Sequence, residues 1–387
     1  MSMPRILHAS DLHLSNSERE YGLAVFSELV EIAEREKVDY FIFCGDLFDT
    51  FADAEKLRID FRNILENRSF EFLYLPGNHE DLRRGGGDLA RLDLGPAKIL
   101  SGKPFEILQR NCDGLDIEFL AIPHQLEYST YSNWPVNSKA APIRLALAHG
   151  VVAGMSYQGP DEEGGGAAID VDLFQRFSVD YAAMGHIHGR RMQNFPNPVD
   201  ANAGGNAGPG SRSNSLTISY PGSSRVWRKG ELGPRGALLF ELSQNTAGNG
   251  GTVSEPVFIP IHAAGEYRHY DLPLTLEGAP PNLDRILSKW GKNDFIELEF
   301  SGLVEDEKIV AQLAESLKAQ YGNAVRKLEI DREGISALPG IASHPVVKNF
   351  LEEWNRRKPS TLSEHQVWMR ARHLALNALK IRLGRHV

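Results

Sequence analysis

Five short motifs carry residue types from which metal sites are made: Asp11-Leu12-His13, Gly45-Asp46-Leu47-Phe48-Asp49, Gly77-Asn78-His79-Glu80, His149-Gly150 and Gly185-His186-Ile187-His188. Taken alone, an aspartate after a glycine is a turn former. As a set, the motifs combine carboxylate, amide and imidazole donors, a mixture that suits manganese, iron or zinc better than calcium. A pair of such ions needs about seven protein ligands, with one carboxylate bridging them. The motifs supply that number.

Each motif follows a short apolar run that reads as a buried strand: Arg5–Ser10, Tyr40–Cys44, Phe70–Leu75, Ile143–Ala148 and Tyr181–Met184. Further strands are expected at Ile117–Ile122 and Ala237–Leu242. Between the first two runs, residues 23–36 place Leu23, Phe26, Leu29, Val30 and Ala33 on one helical face, and a second helix is expected over about 54–66. Alternating strands and helices predict an α/β layered core. The ligand types then sit at strand ends, where sheets of this class gather their ligands.

The chain has 387 residues, 42% hydrophobic and 24% charged, which fits one large domain plus a smaller one. A net charge of −9 argues against coating nucleic acid by bulk electrostatics and leaves room for local basic patches. No apolar run approaches a membrane span, and Met1–Leu14 lacks the pattern of a signal peptide. Cys44 and Cys112 form neither a disulfide framework nor a zinc pattern, so a reducing cytoplasm is the expected location and no membrane partner is expected.

In order and spacing, the five motifs resemble the signature of the calcineurin-like metallophosphoesterases. The opening Ile6-Leu7-His8-Ala9-Ser10-Asp11-Leu12-His13-Leu14 and the later Ser219-Tyr220-Pro221-Gly222-Ser223 are similar to the SbcD-type DNA repair exonucleases. The resemblance implies a layered β-sandwich core flanked by helices and two divalent ions, Mn2+ first, with Fe, Zn or Mg as alternatives. It implies one ion on Asp11, His13, Asp46 and His188, and a second on Asp46, Asn78, His149 and His186, bridged by Asp46. His79 would protonate the leaving 3′ oxygen or stabilise charge on the phosphate, Asp49 would orient its ring, and a hydroxide activated by the two ions would be the nucleophile.

Other residues have plainer readings. His8 is expected to be a packed core histidine, His124 is left outside the ligand set, and Glu80 is expected to make local hydrogen bonds. The glycine-rich segments 150–172 and 196–214 read as flexible loops bordering the site. Basic pairs Arg83-Arg84 and Arg190-Arg191 follow two of the motifs and are candidates for contact with substrate phosphates, with Arg212, Arg225, Arg228 and Lys229 on the same face.

After Thr252 the pattern becomes strand (Arg268–Leu276), helix (Asn282–Trp290), strand (Phe295–Phe300), helix (Glu305–Gln320) and strand (Val325–Asp331). This small α+β domain is similar in position and order to the cap that selects the DNA end in SbcD-type nucleases. From His344 onward nine bases face three acids, a net +6, with helices expected at Pro345–Asn355 and Ser363–Leu383. The expected domains are 1–265 (phosphoesterase), 266–335 (cap) and 336–387 (basic helical extension). The reading is a dimetal phosphodiesterase: a DNA exonuclease with single-strand endonuclease activity, working with an SbcC-like coiled-coil ATPase and as a homodimer. Its alternatives are a phosphodiesterase on a non-DNA substrate and a non-catalytic scaffold that holds DNA ends for the ATPase.

Overall fold

A computed structural model describes residues 3–80, 89–124, 134–135, 138–155, 168–196, 215–244, 251–280, 283–337, 344–357 and 367–379 except 369, 373 and 377. The chain divides into two compact units, Met1–Gly265 and Glu266–Val387.

The first unit is a sandwich of two sheets. One contains β1 (Arg5–Ala9), β2 (Tyr40–Cys44), β3 (Glu71–Leu75), β4 (Lys98–Ile99), β11 (Gly236–Gln244), β12 (Gly251–Val253) and β13 (Val257–Pro260). Its order is β12-β11-β1-β2-β3-β4, with β13 also on β11. The other contains β5 (Glu106–Cys112), β6 (Leu115–Ile122), β7 (Ile143–His149), β8 (Tyr181–Gly185), β9 (Arg191–Phe195) and β10 (Leu216–Tyr220), in the order β5-β6-β7-β8-β10-β9. Strands β1 to β4 run parallel, as do β6, β7, β8 and β10. Parallel strands bring their carboxyl ends to one edge, so every motif expected at a strand end arrives on the same side of its sheet.

Side-chain alternation builds the layers. Leu7, Phe41, Phe43, Phe72 and Tyr74 turn outward onto helices α1 (Arg19–Arg35) and α2 (Phe51–Leu65), where they meet Phe26 and Phe61. Their neighbours Ile6, Ile42, Leu73 and Leu75 turn inward and pack with Phe119, Leu145, Tyr181 and Phe240 between the sheets. On the far side Leu120, Ala146, Ala182 and Met184 cover α3 (Val171–Arg176) through Leu173 and Phe174. The period of two in these strands therefore fills three apolar layers at once. Helix α2 is fixed at its start by Thr50, whose hydroxyl oxygen accepts the Asp53 N–H at 3.1 Å. Helix α1 begins earlier than residue 23 because the turn at Asn16–Glu18 leads directly into it.

The strands at 106–112, 191–195 and 216–220 were not expected from the sequence, and they complete the second sheet. Two of them, β5 and β9, are the edges of that sheet, and β9 exposes Met192, Gln193 and Asn194.

The second unit has the strand and helix order expected. Strands β14 (Tyr267–Pro273), β15 (Phe295–Val304) and β16 (Lys327–Ala337) pair in parallel, joined by α4 (Leu283–Leu287) and α5 (Glu307–Tyr321), which makes a βαβαβ arrangement. Leu272, Ile296, Leu298 and Phe300 pack on Val310, Ala314 and Leu317 of α5. Helix α6 (Pro345–Arg356) and the described helical positions after 367 pack in the same unit, where Val347 and Leu376 meet Leu276 and Leu303. The remainder of the expected helix Ser363–Leu383 lies outside the described residues. Among the described residues no helix is long and apolar enough to cross a membrane.

The two sheets approach closely at Gly185, where an added Cβ would stand 1.7 Å from the Cys44 carbonyl oxygen and 2.8 Å from His149 Nδ1. Gly185→Ala should therefore cost roughly 1–3 kcal/mol by overpacking, read as a lower denaturation midpoint in chelator. An unchanged midpoint would show that the sheets do not meet as described.

Candidate metal centre

The ligand-type residues occupy unusual backbone. Asp11 (φ 53°), His13 (φ 48°), Asp46 (φ 52°) and His186 (φ 95°) all lie in the left-handed region. Such conformations cost on the order of 1–3 kcal/mol each and persist only where surrounding bonds dictate them. Here they do. The Asp11 N–H donates to the Gly45 carbonyl at 3.0 Å and the His13 N–H to the Asp46 carbonyl at 2.9 Å. The His186 N–H donates to both Asp11 oxygens at 2.9 and 3.0 Å.

Glu80 performs the same work for the loop carrying Asp46. Its two oxygens accept N–H bonds from Asp46 (3.1 Å), Gly77 (2.7 Å) and Phe48 (2.7 Å), which is the local role expected for it. Burial and then the nearby Asp46 push its pKa up to about 7. Gly77 is required beside it, since a Cβ there would lie 2.1 Å from Asp46 Oδ1.

Two constellations result. In the first, His13 Nε2 and His188 Nε2 are 3.3 Å apart. His13 Nδ1 faces Asp49 Oδ1 at 3.6 Å, and His188 Nδ1 donates to the buried Glu231 carboxylate. Glu231 assigns the His188 proton to Nδ1, and with the His13 proton on the nitrogen that faces Asp49 both Nε2 lone pairs face one point. Asp11 Oδ1 lies 3.9 Å from His188 Nε2, and Asp46 Oδ2 lies 4.0 Å from His13 Nε2. Electron-rich atoms converging in this way suit a cation between them.

In the second, His149 Nδ1 donates to the Cys44 carbonyl at 3.0 Å, which leaves Nε2 as an acceptor 2.8 Å from Asn78 Oδ1 and 3.3 Å from Asp46 Oδ2. His186 Nδ1 is 3.1 Å from the same Asn78 oxygen. Both imidazoles of this constellation thus meet one amide oxygen. Burial lowers the His149 pKa, but Asp46, Asp11 and the Cys44 carbonyl together raise it to about 9, an electrostatic demand for positive charge at this point. Burial and then the His149 charge lower His186 to about 3, so its ring is a neutral donor. Burial opposes ionisation of Asp46, yet His149 and His13 hold its pKa well below the usual carboxylate range.

The potential ligand atoms of Asp11, His13 and His188, and those of Asp46, His149 and His186, lie within 4.8 Å of one another in each group, with every residue buried. The donor types and burial thus fit two divalent ions sharing Asp46. A comparison with protein families matches residues 4–190 to the calcineurin-like phosphoesterases. Residues 4–190 are a calcineurin-like phosphoesterase domain. The chain is 34% identical over 212 residues to the DNA double-strand break repair protein Mre11 of Saccharolobus solfataricus, covering 49% of this chain and 50% of that protein. Against the protein of the same name from Thermoplasma acidophilum it is 30% identical over 196 residues, 47% and 51% of the two chains. The uncharacterized metallophosphoesterase YhaO of Bacillus subtilis is 21% identical over 263 residues, 61% and 57%. The chain spans about half the length of the curated relatives first named.

Around the ions' places, the phosphoesterase domain arranges other residues. His79 Nδ1 donates to the main-chain carbonyl of Asp49 at 2.9 Å, while the Asp49 carboxylate lies 3.5 Å away, so the main chain is the nearer orienter of this ring. The His79 N–H donates to Asp46 Oδ1 at 2.9 Å. The pocket at the centre is lined by His13, Asp46, Asn78, His79, His186, His188, Trp227 and Arg228.

Outside this centre, His8 is a core histidine, bonded to the Met184 carbonyl at 3.1 Å with its pKa lowered by burial to about 3. His124 is buried, with its ring 6.3 Å from that of His149. Arg190 lies over the Phe258 ring at 4.3 Å, and neither it nor Arg191 lines the pocket. Arg83, Arg84, Arg212 and most of the two glycine-rich segments lie outside the described residues. Arg225 is buried, donating to the His13 carbonyl and pairing with Glu18, both at 2.7 Å, so it supports the fold and does not face a substrate. The segment Ser219–Ser223 ties the His188 loop in place: the Ser223 N–H donates to the His188 carbonyl at 3.1 Å.

Sequence reading missed Trp227 and Glu231. Trp227 stacks flat on His13, with centroids 4.1 Å apart and an 11° interplanar angle. Neither residue belongs to a ligand motif; the only available signal was their position shortly after Ser219–Ser223.

Asp46→Asn should lower metal content at both places, because this carboxylate faces both constellations. Elemental analysis returning two full equivalents would overturn the shared assignment.

Proposed function

We propose that this protein is a metal-dependent phosphodiesterase acting on DNA, an exonuclease that also cuts single strands. The observation carrying the proposal is the pair of buried aspartate and histidine constellations that share Asp46, with His79 beside them. The Mre11-named relatives support DNA as the substrate and repair as the setting. Asp11, His13, Asp46 and His188 would hold one ion, and Asp46, Asn78, His149 and His186 the other. When bound, two divalent ions activate water and neutralise charge on the phosphate; manganese is the metal we propose.

The chain's own residues do the rest. The bond from His79 Nδ1 to the Asp49 carbonyl leaves Nε2 as the nitrogen that donates to the leaving 3′ oxygen. Since both partners of this bond are fixed, the donor is positioned before substrate arrives. Arg228, lining the pocket beside Trp227, is placed to meet a phosphate oxygen. Arg83, Arg84, Arg190 and Arg191 remain proposed as outer contacts along the strand. The unit beginning at Glu266 is proposed as the cap that selects the DNA end. Its basic segment after His344 is proposed to dock a coiled-coil ATPase, with a second copy of the chain completing a cytoplasmic complex.

The test starts with bis-p-nitrophenyl phosphate and a series of divalent metals, followed by end-labelled DNA. Hydrolysis of the ester but not DNA would favour another phosphodiester, and no hydrolysis with any metal would favour a scaffold.

His79→Ala should lower DNA turnover by about 10²–10⁴ with metal content intact, as for loss of a positioned general acid. The loss should be smaller on the nitrophenyl ester, whose leaving group needs little protonation. Asp49→Asn should reduce turnover less than His79→Ala, because the main-chain carbonyl that holds the ring is retained. Equal losses on both substrates, or metal lost along with activity, would remove the general-acid role.

A further inference from the structure

Glu231 stands in a turn that no motif marks. It is 3% exposed, and a carboxylate so buried is costly unless it is paired and hydrogen-bonded. One oxygen receives the His188 Nδ1 proton. The other accepts the Trp227 N–H at 2.8 Å and lies 3.5 Å from Ser223 Oγ and 4.0 Å from Arg235 Nη1. Trp227, at the other end of the same turn, covers the ring of His13. One five-residue turn thus grips both imidazoles of the first constellation. The second constellation is supported differently: His149 leans on the neutral Cys44 carbonyl, with no carboxylate at its Nδ1.

We propose that Glu231 is a positioning residue that keeps His188 Nε2 turned toward Asp11 and His13, so that the turn 227–231 sets the affinity of this one ion and not of the other. The inference rests on the two-ion reading above. Its physical basis is twofold. A carboxylate on the remote nitrogen fixes the tautomer and the ring angle, and it makes the ligating nitrogen more basic. The loss of such a partner typically costs about 10–100-fold in metal affinity.

Calorimetric titration of Mn2+ into the chelator-stripped full chain tests this, using wild type, Asp11→Asn, Glu231→Gln and Trp227→Leu. Wild type should show two classes of site, and Asp11→Asn should remove one. Glu231→Gln, which keeps the size and an acceptor oxygen but not the charge, should weaken that same class by about 10–100-fold and leave the other unchanged. Should the glutamine variant fail to fold, Trp227→Leu at a partly exposed position is read the same way. Weakening of both classes together, or of neither, would overturn the positioning role. Wild type binding no Mn2+ would instead overturn the two-ion reading itself, and the two failures are therefore distinguishable.

Discussion

The Asp46 carboxylate is 2% exposed, and the rest of the domain is arranged around the cost of keeping a negative charge where water does not reach it. Its partners come from three separate parts of the chain: the His79 N–H on Oδ1, His149 against Oδ2 and His13 further off. None of these is a lysine or an arginine. Lysine or arginine in such a place would give a structural ion pair of the kind that Arg144 and Glu118 make elsewhere in the domain. Imidazoles whose far nitrogens are already committed as donors instead turn lone pairs toward the carboxylate. This arrangement suits cations in the centre, the donor set of a candidate metal site.

That constraint explains the backbone. To turn their donors inward from parallel strands, Asp11, His13, Asp46 and His186 adopt left-handed conformations that are unfavourable for residues with side chains. The sandwich compensates through buried main-chain bonds and through Glu80, a second buried acid used entirely for N–H groups. Gly45 completes the close approach, for a Cβ there would fall 1.9 Å from His149 Nδ1. Strain, glycine and buried acid are different parts of one solution: two sheets packed face to face with their strand ends meeting around a charged centre.

The charge of the whole chain sets a further condition. With a net charge of −9, attraction to a polyanion has to be local, through cations near the site or in the basic segment after His344. Arg228 is such a cation at the pocket, whereas Arg225, three residues earlier and identical in type, is buried in the fold. Basic residues close together along the chain therefore divide between the buried fold and the pocket according to which way the loop turns.

The sequence by itself determined the strands that carry the motifs, the donor types at their ends and the order in which those donors occur, because each is a local property: an apolar run, a period of two, a glycine before an aspartate. It also determined the βαβαβ succession of the second unit, legible from alternating periodicities between 268 and 331. The tertiary structure decided which nitrogen of each imidazole faces the centre, since that depends on acceptors such as Cys44 for His149 and Glu231 for His188, which are remote in sequence. It decided that His79 is held chiefly by a main-chain carbonyl, a group every residue has and no motif can announce. Trp227 and Glu231 were illegible for the same reason. A residue that acts by packing on a ligand or by holding its far side needs no fixed spacing from it along the chain, only a fold that brings the two together.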